Sequence, residues 1–416
     1  NLQCWYVGKT FQVCNNRAFF LGVRLDWYPV RLLPSALLIM RQVRCMLFGL
    51  FLLLHCSCVD NEATGITISV NVNESLNTPV SIYDLFGEIS LISIDSSQFI
   101  SNSSIRHTAE CYTCGKGYFF ILDKTTQKIH VVDSLGTYIL TDNHVGRGPG
   151  EYTLATTIQF DEESGLLNIL DPRGRILQYD FNLDCLRFIN EVEFLKYQNL
   201  GNSFYINGAD CILTNINEMS PLSYLNINTG EYRILEYEVP EWYFDCWYPT
   251  PHYFEISNQL YYYEYHNGSV YSVDKEGVKP FLRFDFGRYT CTLDDIPEYD
   301  DAFHYSDWIL NESSYVLPIY SMVGFGDIIL ARCLYKGGQY TMIYNLRNKN
   351  CSFFSRTIED LMILPGIASG GLMYSFVDSS SINDYICVDI LDSSSRIAYE
   401  EIINNDGCGF IVYKPY

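Results

Sequence analysis

Gly117-Tyr118-Phe119-Phe120-Ile121-Leu122-Asp123, then Ile129-His130-Val131-Val132-Asp133, then Gly136-Thr137-Tyr138-Ile139, is a pattern the chain writes twice. The second copy starts 48 residues later, at Gly165-Leu166-Leu167-Asn168-Ile169-Leu170-Asp171, and continues through Ile176-Leu177-Gln178-Tyr179-Asp180 to Leu186-Arg187-Phe188-Ile189. In each, two short apolar strands end in Asp and a turn follows. A period of 40–50 residues built from short strands is the signature of propeller blades.

Working outward, six strand–turn–strand units can be marked, starting near Gly117, Gly165, Gly208, Asn258, Gly326 and Gly370. The spacings are 48, 43, 50, 68 and 44 residues. The long fourth interval holds an acidic stretch from Gly287 to Trp308, with Asp294-Asp295 and Asp300-Asp301, and reads as an excursion with a short helix around Tyr299–Leu310. Helical periodicity is otherwise nearly absent. The strand-like run Leu85 to Ile94 precedes the first full unit and is placed to complete the last blade, which would remove the open sheet edges. The expectation is an all-β chain, one six-bladed β-propeller over residues 80–416, with an N-terminal strand closing the last blade.

Composition agrees. Aromatic residues make up 15% of the 416 residues, with 34 Tyr, and such rings suit pleated, half-buried surfaces. The formal charge is -22, and from Cys58 onward 21 basic residues face 48 acidic ones. No basic stripe exists to release counterions from a polyanion, which argues against nucleic acid as a partner. Of 15 Cys, five lie in the first 58 residues. The rest are scattered singly through strand-like runs, where a free Cys behaves as a small buried hydrophobe.

Residues 1–39 begin without Met and show no sustained period, and are expected to be upstream sequence outside the mature protein. Met40 opens a different segment: Arg41 and Arg44, then an apolar run from Met46 to Leu54, then His55-Cys56-Ser57-Cys58. That run is too short to span a bilayer and has the length of a signal-peptide core. Residues 40–57 resemble a bacterial lipoprotein signal, with Cys58 as the lipidated residue, although His55 stands where Leu is usual. Residues 58–79 read as a tether, and the acidic Asp60 and Glu62 resemble the surface-export signal of Bacteroidetes lipoproteins.

The joint Gly146-Arg147-Gly148-Pro149-Gly150-Glu151-Tyr152, with the strands after it, is similar to an NHL-type blade repeat. Tyr83-Asp84-Leu85-Phe86, the stretch from Leu260 to Gly287 and the closing Phe410-Ile411-Val412-Tyr413-Lys414 extend the likeness. The chain resembles the six-bladed β-propeller lipoproteins of gut Bacteroidetes. The resemblance implies fold and an outer-membrane location, anchored by lipid only and compatible with surface exposure; it implies no established chemistry.

Candidate sites follow. The glycine joint lacks the Lys-Ser/Thr ending and the helix of a phosphate cradle, so its role is structural, with Tyr152 packed between blades. Arg147 is its exception, a guanidinium able to reach an acidic or sugar ligand. The run from Glu241 to Phe254, broken by prolines, offers Trp242, Tyr243, Trp247, Tyr248 and His252 on a loop. Rings on a loop stack on sugars or peptides, or else plug a gap between blades. Tyr263 and His266 follow, with Tyr261, Tyr263 and Tyr265 aimed to one side of a strand. Cys111-Tyr112-Thr113-Cys114 has half the spacing of a zinc site but no second half. No catalytic residue, metal or cofactor is expected. The leading function is a cell-envelope binding or scaffold module for glycans or a glycan-uptake partner. The alternative is a lyase or hydrolase acting at the channel mouth with an axial metal.

Overall fold

The structure, a computed structural model, describes residues 65–95, 111–171, 175–189, 200–215, 222–236, 252–263, 268–292, 295–297, 304 and 307–416. Side chains at 187–189, 200–202, 215, 252, 318 and 320 lie outside that description. All described residues belong to one compact unit, residues 63–416.

An N-terminal segment comes first: β1 (Ile66–Ser69), α1 (Val72–Leu76), α2 (Ile82–Leu85) and β2 (Glu88–Ile94). The first blade holds β3 (Tyr112–Gly115), β4 (Tyr118–Asp123), β5 (Lys128–Asp133) and β6 (Tyr138–Asp142). The second holds β7 (Thr157–Asp161), β8 (Leu166–Asp171), β9 (Arg175–Tyr179) and β10 (Cys185–Ile189). The third holds β11 (Leu200–Asn207), β12 (Asp210–Asn215), β13 (Leu222–Asn226) and β14 (Tyr232–Ile234). The fourth holds β15 (His252–Ile256), β16 (Gln259–Tyr263), β17 (Ser269–Asp274) and β18 (Gly277–Asp285). The fifth holds β19 (Val316–Phe325), β20 (Ile328–Tyr335), β21 (Gly338–Asn345) and β22 (Cys351–Phe354). The sixth holds β23 (Ile367–Ser369), β24 (Leu372–Asp378) and β25 (Cys408–Lys414), with α3 (Ser393–Asn404) between β24 and β25.

Six sheets result, each a meander of consecutive strands to which β1 is added beside β18 and β2 beside β25. The first strands of successive blades adjoin one another from β3 through β7, β11, β15, β19 and β23 back to β3, so the ring closes. Closure is by β2, which pairs antiparallel with β25 from Glu88↔Lys414 to Ile94↔Cys408 and supplies the outer strand of the sixth blade. The six-bladed expectation and its N-terminal latch are both met.

The phase of the repeat differs from the sequence reading. The marker residues occupy the turn between first and second strands, as in Lys116-Gly117, Ser257-Asn258 and Gly370-Gly371, where two successive residues take positive φ. This is the hairpin geometry whose twist matches paired strands. Each unit therefore starts one strand earlier than the pattern suggests. The first strands are hard to read because their side chains serve neighbouring blades. Thr113 Oγ1 accepts from Phe160 N at 3.0 Å, and Gln159 bonds both Ile206 N (2.6 Å) and Ile206 O (2.9 Å). Tyr205 donates to Glu255 at 2.6 Å. These bonds step from blade to blade along the inner strands, so polar residues stand where an apolar run was sought.

Two further corrections concern the chain ends. The tether expected over 58–79 is ordered structure from Ile66 onward. There β1 pairs in parallel with β18, and Ile68, Val70 and Val72 are buried. Val72 joins a core that includes Phe353 of the fifth blade, and Ile82 N and Ser81 Oγ bond the Glu359 carboxylate. The segment is a strap laid over the outer edges of blades four, five and six. Helical structure was also undercounted: α3 covers the free edge of β2, where the buried Ser395 Oγ accepts from Leu91 N at 3.0 Å. In the acidic excursion, the short helix is a π-turn at Trp308–Glu312, preceded by a 3-10 turn at Gly287–Tyr289.

Candidate functional site

Connection length divides the ring into two unlike ends. Adjacent strands alternate in direction, so the turns between first and second strands and between third and fourth strands share one end. They run two to five residues. Every connection longer than six residues opens at the other end: 95–111, 143–156, 190–199, 235–251, 286–315, 355–366 and 379–407.

The glycine joint belongs to this second end, leading from β6 to β7. Its cradle is already filled. The Glu151 carboxylate folds back and accepts from Gly148 N at 2.7 Å, and a Cβ on Gly146 would stand 1.9 Å from that carboxylate. Tyr152, 1% exposed, packs among Phe120, Leu122 and Ile158 of two blades and donates to Gln127 O at 2.7 Å. An internal anion thus holds the place a phosphate would take, and the joint is a hinge pin between blades. Arg147 is exposed on it.

The other expected residues divide. Trp242, Tyr243, Trp247, Tyr248, His266 and Cys58 lie outside the described residues, and His252 is described by its backbone alone, which pairs with Tyr263. The connection 235–251 leaves from β14 and enters β15, at the end that bears Arg147. Tyr263 is 1% exposed in the core shared by blades four and five, 6.4 Å from the Phe254 ring centroid. Its ring fills a blade contact and offers no face to a ligand, so Tyr263 is withdrawn as a binding residue. Tyr261 shares its side, whereas Tyr262 packs into the opposite core, as strand alternation requires.

Cys111 is buried and Cys114 half-buried. Burial pushes the Cys114 thiol up to about 12, as it does those of Cys351 and Cys408, so these thiols stay protonated and inert. Cys114, Cys211, Cys291, Cys333, Cys351, Cys387 and Cys408 form no disulfide.

One cluster escaped the sequence reading. Arg288 and Tyr289 lie in the connection 286–315; Tyr335 and Lys336 flank the turn from β20 to β21, at the same end of the ring. Asp285 fixes the first pair, accepting from Gly287 N (2.9 Å) and Thr290 Oγ1 (3.0 Å). Arg288 Nη2 donates to the Tyr289 hydroxyl at 2.6 Å, and that hydroxyl donates to Asn73 Oδ1 of α1 at 2.8 Å. The Tyr289 and Tyr335 rings meet edge-on, 5.4 Å between centroids. Arg288 lies 4.8 Å from the Tyr289 centroid and Lys336 5.1 Å from that of Tyr335. The Arg288 hydrogen bond holds the Tyr289 phenol below its ordinary pKa, while burial raises that of Tyr335. In sequence the only signal was a cation beside a Tyr at each of two glycine-marked turns; the fold joins them.

A search of curated proteins finds no match. Among solved structures, the chain is similar to a protein of Bacteroides fragilis described by its name as exported, at 14% identity and a TM-score of 0.61, covering 85% of this chain and 100% of that one. It is also similar to a DUF4221 family member of Bacteroides vulgatus, at 10% identity and a TM-score of 0.51, covering 79% of this chain and 96% of that one. Both likenesses concern the fold. Residues 66–396 match the domain of unknown function DUF4934, a span from β1 into α3, and the chain belongs to that family.

Proposed function

We propose that this protein is an exported, non-catalytic binding or scaffold propeller, held at the outer membrane by a lipid on Cys58. It takes a glycan, or a protein of a glycan-uptake system, on the end of the ring that bears the long connections. The observation that carries the reading is the division of the ring: tight turns at one end, connections of up to 30 residues at the other. Binding residues concentrate on loops that a rigid scaffold positions, and a closed ring of six blades is such a scaffold. Arg147, the aromatic connection 235–251 and the cation–tyrosine cluster all belong to that one end.

Envelope attachment is supported by the signal-like sequence of residues 40–57 and by the exported character named for the Bacteroides fragilis protein. No helix among the described residues is long and apolar enough to cross a membrane. In a bacterial host, palmitate label is expected on the full chain and lost with Cys58→Ala, moving the protein out of the membrane fraction. Label retained by that variant overturns the anchor. A glycan array probed with the purified chain tests the binding reading. Binding to a defined set of sugars is expected; turnover of a lactone or ester with no sugar bound would reverse the assignment to an enzyme.

A further inference from the structure

We infer that Arg288, Tyr289 and Lys336, backed by the buried Tyr335, form a subsite for a saccharide bearing a carboxylate or a sulfate ester. The inference rests on the binding reading above and gives it a place and a ligand class. Three separate stretches of chain meet there: α1 through Asn73, the connection after β18 through Arg288 and Tyr289, and the β20–β21 turn through Tyr335 and Lys336.

Charge is the first argument. The chain carries -22, so an acidic ligand is repelled by most of its surface. Arg288 and Lys336 are both exposed cations, each resting on one of two tyrosine rings that touch. Neither forms an ion pair with a carboxylate among the described residues, whereas Arg347 and Arg356 each do. Asp285, just before the pair in sequence, is held by its own turn through Gly287 N and Thr290 Oγ1.

Donor geometry is the second. Arg288 uses Nη2 on the Tyr289 hydroxyl and rests against that ring, which fixes the guanidinium in one orientation. Its remaining N–H groups form a fork suited to two oxygens of one carboxylate or sulfate. Lys336 adds a point charge from the second ring.

The third is the aromatic floor. The Tyr289 ring is part-exposed beside Arg288, and Tyr335, 4% exposed, backs it edge-on with 5.4 Å between centroids. A sugar ring stacks on such a surface while its acidic substituent meets the cations. A bare inorganic anion uses only the charges, and a neutral sugar only the ring. A charged saccharide uses both.

The test is calorimetric titration of the full chain with an oligogalacturonide, a chondroitin sulfate oligosaccharide, neutral maltoheptaose and inorganic sulfate. An acidic oligosaccharide is expected to bind more tightly than the neutral one. Arg288→Ala or Lys336→Ala should each weaken it about tenfold, and Arg288→Lys should weaken it less. Both positions are exposed, so melting temperatures of the variants should match the parent. Acidic saccharide bound equally by parent and variants overturns the subsite while the glycan reading stands. Neutral saccharide alone does the same. No saccharide bound, with or without sulfate, removes both.

Discussion

His130 shows what a single buried group does in this ring. It is 1% exposed on β5, its Nδ1 2.7 Å from Thr141 Oγ1. Burial lowers its pKa from 6.5 to about 4, with Lys128 adding to the fall and Asp123 opposing it. The native state therefore refuses a proton that the unfolded chain accepts. Above pH 6.5 both states are neutral and the packing is fully effective; between 6.5 and 4 the unfolded state gains protons and stability falls. That window is worth about 3 kcal/mol. Melting followed across it should show His130→Gln with a shallower decline than the parent, and equal slopes would sink the argument. Asp171 is a second such residue. Fully buried, it accepts from Thr153 N (2.8 Å), Thr153 Oγ1 (2.7 Å) and Arg175 Nη2 (2.9 Å), tying the glycine joint to its blade. Asp171→Ala strands those donors and should cost about 3 kcal/mol in urea unfolding. The Asp that closes the strand in each copy of the repeat was visible in sequence; its work as an acceptor for a neighbouring turn was not, because Thr153 and Asp171 are partners only once the joint has folded.

Among elements, the strap and α3 were least legible. Ile66-Thr67-Ile68-Ser69 alternates like a strand but is short, and its partner Leu282–Asp285 lies over 200 residues away. In α3 the buried positions are Ser395, Ala398 and Ile402, while Ile397 and Ile403 are exposed. A helix whose inward face includes a Ser and whose outward face includes Ile hides its period. Ser395 is inward because it caps Leu91 N. The strap predicts a graded response to truncation. A chain starting at residue 80 loses β1 and α1 but keeps β2, and should fold with a lowered melting temperature. One starting at residue 96 loses the outer strand of the sixth blade and should not give a cooperative transition in circular dichroism. Equal stability of the full chain and the shorter of these truncations would show that the strap contributes nothing. Close approach of inner strands makes the same point from the core. A Cβ on Gly115 of β3 would stand 2.1 Å from the Phe160 ring of β7, so Gly115→Ala should cost about 2 kcal/mol.

For the whole molecule, the count of blades was legible because hairpins need Gly or Asn at positive φ, and those residues recur at near-constant intervals. The split between the two ends was legible only in part. The long spacing from Asn258 to Gly326 announced the connection 286–315, but the insertion 379–407 falls after the last marker, where no further interval exposes it. The cysteines also have a consequence at this scale. Cys114, Cys211, Cys291, Cys333, Cys351, Cys387 and Cys408 are thiols outside any disulfide, and a reducing agent should leave the melting temperature unchanged. A fall of several degrees would place a cross-link outside these residues. The sixth blade adds one more consequence. Lys414 faces Glu88 across the last rung, and Gly87 N donates to Lys414 O at 2.9 Å, where other blades have a tight turn of two to five residues. This rung thus has the geometry of a hairpin end that a short loop could join. Joining Tyr416 to Gly87 through a few glycines and cutting the chain instead at Lys275-Glu276, between β17 and β18, should yield a circular permutant. Covalent sewing would replace the latch, and the same ring would start and finish in a different blade.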